Sequence, residues 1–153
     1  MKFKFNIFNI LIVTSFLLIP LNVLSSDKIL HRGNGAEPDT LDPHLATGHW
    51  EGSIINDIFV GLFTKGEDGS SIKGSVDSYH KSDNGLVYTF NLRKDHFWSD
   101  GIKVTAKDYV NGLRRVLNPA TASQYGSLLY LIKNAYEVNS GKLKPKSLGV
   151  REK

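Results

Sequence analysis

The side chains that invite a chemical reading are few and scattered. His31, His44, His49, His80 and His96 are the five imidazoles. None stands at helical metal-ligand spacing from another. The chain has no cysteine, which removes thiol nucleophiles, thiolate metal sites and structural disulfides. Gly33-Asn34-Gly35 begins like a dinucleotide loop, but Pro38 occupies the third glycine position and no helix opens there. No Gly-Lys-Ser/Thr phosphate loop and no Gly-x-Ser-x-Gly nucleophile elbow occurs. In "FWSDGIKVTAKDYV", residues 97 to 110, Asp100 and Asp108 invite a paired-carboxylate reading. Their neighbours argue otherwise, because Asp100-Gly101 is a turn and Thr105-Ala106-Lys107-Asp108 is a helix start. The expectation is a protein that is not an enzyme, with no catalytic residue, no metal and no cofactor.

The elements around these residues have clearer signatures. Leu86, Tyr88, Phe90 and Leu92 alternate with Val87, Thr89, Asn91 and Arg93, the period of a strand with one apolar face. Asn84-Gly85 precedes it, so residues 76 to 81 and 86 to 92 are expected to pair as an antiparallel hairpin. Lys28 to Arg32 is a short strand candidate, and Pro38, Pro43 and Gly48 enforce an extended, turning segment after it. Ile54, Ile55, Ile58, Phe59 and Leu62 fall at helical spacing over residues 53 to 62. Leu62-Phe63-Thr64 begins another strand, and Asp68-Gly69 is a turn. Thr105 is the expected N-cap of a helix whose apolar stripe is Tyr109, Val110, Leu113, Val116 and Leu117, with Asn118-Pro119 ending it. Further helices are expected from about Ser123 through Ile132, and through Ala135 and Val138 to Gly141.

The chain has 153 residues, 41% hydrophobic and 22% charged, the composition of one globular domain. The basic start Met1-Lys2-Phe3-Lys4, the mostly apolar Phe5 to Leu24 and the small residues Ser25-Ser26 have the pattern of a secretory signal peptide, assigned to residues 1 to 25. Residues 26 to 153 then form the mature chain. Loss of Lys2 and Lys4 lowers the formal net charge from +4 by two. That balance, with Lys and Arg clustered only near the C-terminus, excludes a nucleic-acid partner. An exported chain without a lipid-bearing cysteine is expected in the periplasm.

Four segments taken together resemble a known family. They are "TLDPHLATG" (40 to 48), "DIFVGLF" (57 to 63), "DNGLVYTFNLRKDHFWSDGIKVTAKDYV" (83 to 110) and "LNPATASQYGSLL" (117 to 129). Their order resembles the start of a mature extracellular solute-binding protein of family 5, which serves peptide and nickel ABC importers. The Thr-Ala-Ser-x-Tyr segment is most similar to the oligopeptide-binding branch. The resemblance implies an α+β fold: a partial first lobe of a two-lobed, type II periplasmic-binding-protein architecture. It has a mixed sheet with an antiparallel hairpin and flanking helices. It implies a peptide ligand held between two lobes, a permease in the inner membrane as partner, and no chemical step. It implies ligand contact at Thr47, Gly48 and His49, which follow the Leu-Asp-Pro-His motif, and at Tyr125. Thr47 stands where that branch can carry an acidic residue, which leaves backbone contact as the role there. Trp98 is implied to be scaffold, packed under the Asp100-Gly101 turn.

Members of that family are several times longer, so the expectation is the N-terminal portion only, in a truncated or split form. A separately encoded remainder is the partner that a split form requires. The second reading is a membrane-anchored envelope interaction or scaffold protein without a transport role, held by an uncleaved Phe5–Leu24 helix. N-terminal sequencing of the exported protein distinguishes the two. We expect it to begin at Ser26 or Asp27, and a retained Met1 or Lys2 overturns the signal peptide.

Overall fold

The computed structural model describes residues 28 to 153. The expected signal segment and the alternative Phe5–Leu24 anchor lie outside the described residues. Among the described residues no helix is long and apolar enough to cross a membrane. The chain divides into a short unit ending at Gly33 and a larger unit from Asn34 to Lys153. The described part of the first unit is irregular and exposed. The strand expected over Lys28 to Arg32 is therefore not formed, because no described strand pairs with it and a lone strand has no ladder to hold it.

The larger unit opens with an irregular segment that leads into helix α1, His49–Ile58. This helix was expected over residues 53 to 62. It starts earlier because Gly48 is extended, at φ −91° and ψ 165°, and serves as its N-cap. It ends earlier because Gly61 and Leu62 are recruited elsewhere. The Gly61 carbonyl accepts the Ser75 N–H at 3.0 Å, and the Leu62 carbonyl accepts the Gly74 N–H at 3.0 Å. Tertiary hydrogen bonding overrides the helical periodicity there.

Two antiparallel hairpins follow. Strands β1 (Phe63–Lys65) and β2 (Ser71–Lys73) pair with Thr64 opposite Ile72. The Asp68-Gly69 turn closes them with Gly69 at φ +83°. Strands β3 (Val76–Lys81) and β4 (Tyr88–Leu92) pair with Tyr79 opposite Phe90 and Lys81 opposite Tyr88. The hairpin is the expected one, although regular pairing starts at Tyr88 and Leu86 sits 81% exposed in the connection. All described strand pairs are antiparallel, in two two-stranded sheets. The mixed sheet expected of the whole fold is not assembled among the described residues. Phe63 links the two sheets, meeting Tyr79 and Phe90 edge-on at 5.6 and 6.2 Å.

Residues 97 to 103 form a tight turn in which Trp98 N–H donates to the Ile102 carbonyl at 2.8 Å. Trp98 is 43% exposed, so it borders this turn without being enclosed by it. Thr105 then caps helix α2, Ala106–Val116. The Asp108 carboxylate accepts both the Thr105 N–H and its hydroxyl at 2.8 Å. The Thr105 amide, acting first, and the Thr105 hydroxyl hold that carboxyl below its usual range. Asp108 is thus a cap residue. The Ser75 hydroxyl donates to the Gly61 carbonyl at 2.8 Å and makes a short contact with the Tyr109 hydroxyl, joining the hairpins to α2.

The last third of the chain builds the core. Leu117, Ala135, Val138 and Leu148 are buried together, with Leu113, Val116, Leu129 and Ile132 packed against them. Full burial of each large aliphatic contributes roughly 1.5–3 kcal/mol. Short 3₁₀ turns at Pro119–Thr121, Gly126–Leu129 and Pro145–Ser147 and helix α3 (Ala135–Asn139) carry these residues. The longer helix expected from Ser123 to Ile132 is reduced to one 3₁₀ turn. Leu129 and Ile132 reach the core, but Leu128 is 72% and Leu131 99% exposed.

Gly85 holds φ +71° between β3 and β4. A β-branched side chain resists that region. Gly85→Val is therefore expected to lower stability by on the order of 1 kcal/mol or more, read from the midpoint of chemical denaturation. An unchanged midpoint would show that the turn tolerates another path.

Candidate functional site

Residues 34 to 48 have no sheet or helix of their own, so side chains must hold their shape. Asn34 donates through its amide to the Ala36 and Trp50 carbonyls at 3.1 and 3.2 Å. Gly35, at φ +88°, lies against the Trp50 ring, where an added Cβ would come within 2.5 Å of a ring carbon. The Asp39 N–H donates to Glu51 Oε1 at 3.1 Å. Glu51 is buried at the third position of α1. The Asp39 amide, with lesser help from the amides of Glu51 itself and Gly48, holds its carboxyl below the usual range. It sits in the first turn of α1, where the helix dipole favours a negative charge, and its Oε2 has no hydrogen-bond partner among the described residues. A Cβ on Gly48 would fall 2.1 Å from Glu51 Oε2, so the carboxylate would have to shift to admit any other residue there.

The Leu-Asp-Pro-His motif forms a second anchor. Asp42 Oδ1 accepts the His44 N–H at 3.0 Å, and the Asp42 carbonyl accepts the N–H groups of Leu45 and Ala46, both at 3.0 Å. Arg115, on α2, grips the same carboxylate with two nitrogens, at 2.8 Å to Oδ1 and 2.5 Å to Oδ2. Its Nη1 also donates to His44 Nδ1 at 2.7 Å, so that ring nitrogen is unprotonated. The Arg115 guanidinium, with the His44 amide, lowers the Asp42 pKa from 3.8 to about 2. Burial, then the Arg115 charge, pushes His44 down, and Asp42 offsets part of this.

The segment that leaves this turn is Thr47-Gly48-His49. All three residues are exposed. Tyr125 donates its hydroxyl to the Thr47 carbonyl at 3.1 Å across 78 positions of sequence. Tyr125 is itself 51% exposed, at the N-cap of the Gly126–Leu129 turn. Gly126 beneath it is buried, 3.2 Å from the Asn139 amide at the nearest Cβ position. Asn139 accepts from the Tyr130 hydroxyl at 2.8 Å and donates to the Leu117 carbonyl at 3.3 Å, so it ties this turn to the core. The structure thus brings Thr47, Gly48 and Tyr125 onto one exposed surface. His49 begins α1 beside them, its ring against Trp50 at 5.8 Å.

This surface offers peptide N–H and C=O groups, a phenol and flat aromatic faces. The sequence reading missed Glu51, Asp42 and Arg115 as the residues that place it. Glu51 had a visible signal, since it stands three residues after an N-cap glycine. The Asp42–Arg115 pair had none, because its members are 73 positions apart.

Comparison with known proteins gives this surface a context. Residues 40 to 151 match the family model of bacterial extracellular solute-binding proteins, family 5 middle. The chain is 42% identical over 122 residues to the periplasmic oligopeptide-binding protein OppA of Haemophilus influenzae, covering 78% of this chain and 23% of the relative. It is 40% identical over 136 residues to OppA of Escherichia coli, covering 87% of this chain and 25% of the relative. It superposes on a crystal structure of Haemophilus influenzae OppA in complex with RPPGFSPFR with a TM-score of 0.76 and 41% identity, over 79% of this chain and 24% of that one. The chain therefore spans about a quarter of the length of the relatives it matches. The structural neighbours are two-lobed periplasmic binding proteins, and the described residues form a partial α+β portion of that architecture.

The depressed pKa of Asp42 has a sign. Its ionised form is favoured by folding, so the stabilisation is full above the unfolded value of 3.8 and is lost as pH falls toward about 2. Arg115→Ala is expected to return the Asp42 pKa toward 3.8, as read by NMR titration. The stability difference between the native chain and this variant should shrink as pH falls through that window. A variant whose Asp42 still titrates near 2 would show that Arg115 is not the cause.

Proposed function

The chain belongs to the bacterial extracellular solute-binding proteins of family 5, and on that premise we propose that it supplies one wall of a peptide-binding site. The whole binding protein would be the periplasmic component of an ABC peptide importer. The observation that carries this reading is the bond from the Tyr125 hydroxyl to the Thr47 carbonyl. It joins two exposed segments, distant in sequence, into one surface. An extended peptide laid along this wall would meet the Gly48 backbone, where no side chain intervenes, and stack on Tyr125 or the His49–Trp50 pair.

The site residues are Thr47 through its backbone, Gly48, His49 and Tyr125. The ligand is a peptide, and the partner of the closed complex is a permease in the inner membrane. The relatives compared above are periplasmic oligopeptide-binding proteins, which supports a binding role without a covalent step. Their periplasmic location supports the same location here, reached through the expected signal peptide.

A single wall gives a peptide little enclosure and no anchor for its charged ends. Association must offset several kcal/mol of lost translational and rotational freedom, so the chain alone is expected to bind peptides with Kd of about a millimolar. Titration of a mixed tripeptide-to-pentapeptide library, followed by NMR, tests this. We expect shifts at the Thr47, Gly48 and His49 amides and the Tyr125 ring, all weakened by Tyr125→Ala. Shifts confined to other residues, or none at a peptide concentration of about ten millimolar, would sink the assignment.

A further inference from the structure

His44 is the one titrating base in the clamp on Asp42. Arg115 Nη1 stands 2.8 Å from Asp42 Oδ1 and 2.7 Å from His44 Nδ1, so one nitrogen serves two acceptors. A guanidinium carries donors only, so Nδ1 accepts and the neutral ring keeps its proton on Nε2. The half-buried ring lies over α2, where a Cβ added at Gly112 would stand 3.9 Å from Nε2. The charged groups that act on it are Arg115, from α2, and Asp42, from its own turn.

A second proton reverses the part this ring plays. Nδ1 turns from acceptor to donor, and an imidazolium then faces a guanidinium at hydrogen-bond distance. Asp42, two positions back, stays ionised through the histidine range because its pKa is about 2. The protonated ring therefore competes with Arg115 for the carboxylate that the neutral ring leaves to it. Folding favours the neutral ring, through burial first and the Arg115 charge second. The clamp is thus complete above the ordinary histidine value of 6.5 and is lost as pH falls below it.

The clamp leads directly to the ligand wall. The Ala46 N–H donates to the Asp42 carbonyl at 3.0 Å. The Thr47 carbonyl, one residue on, accepts the Tyr125 hydroxyl at 3.1 Å. Tyr125 is held from the other side, because Gly126 is buried after it and Asn139, against Gly126, bonds the Leu117 carbonyl. Freeing Asp42 from Arg115 therefore moves Thr47 away from Tyr125 and does not move the two together.

We propose that His44 is a positioning residue for the Thr47–Tyr125 wall: its neutral ring completes the hold of Arg115 on Asp42, and its protonation loosens that hold and parts Thr47 from Tyr125. Acid would then lower peptide affinity, a consequence that rests on the reading of this wall as a peptide site.

The test follows the full chain by NMR from about pH 8 to about pH 5, without peptide. The His44 ring, the Thr47 carbonyl carbon and the Tyr125 ring should share one midpoint, below 6.5. His44→Gln supplies a side-chain carbonyl that accepts from Arg115 and does not titrate. It should keep the high-pH signals of Thr47 and Tyr125 and abolish their titration. Thr47 and Tyr125 signals that stay flat across the His44 midpoint would overturn the proposal in the native chain alone. So would a titration that survives in His44→Gln, the result expected if the neighbouring His49 were responsible. A second arm adds the mixed peptide library at each pH. Affinity should fall by about threefold or more on acidification of the native chain and hold steady in His44→Gln. A wall that titrates through His44 but binds no peptide at any pH would sink the peptide reading and leave the role of His44 standing.

Discussion

The grip of Arg115 on Asp42 sets the geometry of the irregular segment that precedes α1. Residues 34 to 48 build no ladder, so side chains and a single backbone turn define their path. Asp42 meets that demand from both ends. Its carboxylate takes two guanidinium nitrogens and the His44 N–H, and its carbonyl takes the N–H groups of Leu45 and Ala46. Arg115 stands on α2, whose C-terminal end runs into the buried Leu117. The turn is thereby registered against the core. Thr47 follows a few residues later, within reach of Tyr125.

The clamp acts through position more than through stability. Arg115 is half exposed and Asp42 a quarter exposed at their side chains. Ion pairs so open to water contribute little to stability, because solvent and salt screen them. Stability resides elsewhere, in Leu117, Val138, Ala135 and Leu148. The molecule separates the two tasks. Buried aliphatics hold the larger unit together, and charged or polar groups aim the exposed segment. Glu51 follows the same logic at the start of α1, where one buried carboxylate sits in the first turn of a helix and holds Asp39.

The two open surfaces differ in chemistry and so in what they suit. The Thr47–Tyr125 wall is exposed backbone, a phenol and aromatic faces. The cleft lined by β4, α2 and residues 148 to 153 mixes apolar side chains with nine Lys and Arg against three Asp and Glu. An apolar surface left in water is costly and prone to association. A polar wall is not.

Much of the local structure was legible before any coordinates. Asn84-Gly85 specified the β3–β4 hairpin because only a residue tolerant of positive φ closes that turn. Thr105 and Asp108 specified the start of α2 because a cap is built from residues three positions apart. The stripe from Tyr109 to Leu117 specified which face that helix buries. These signals are short in range, so they survive in a linear string. The boundaries of α1, the loss of the helix after Ser123 and the unformed strand at Lys28–Arg32 were not legible. Each depends on whether a distant backbone partner or a core is available, as Gly61 and Leu62 are taken by Gly74 and Ser75. The candidate site divides in the same way. Likeness to a family singled out Thr47, Gly48, His49 and Tyr125 one by one. Only the tertiary structure put Tyr125 on the Thr47 carbonyl and Arg115 on Asp42, because bonds that close loops of more than seventy residues leave no periodicity or spacing in the sequence.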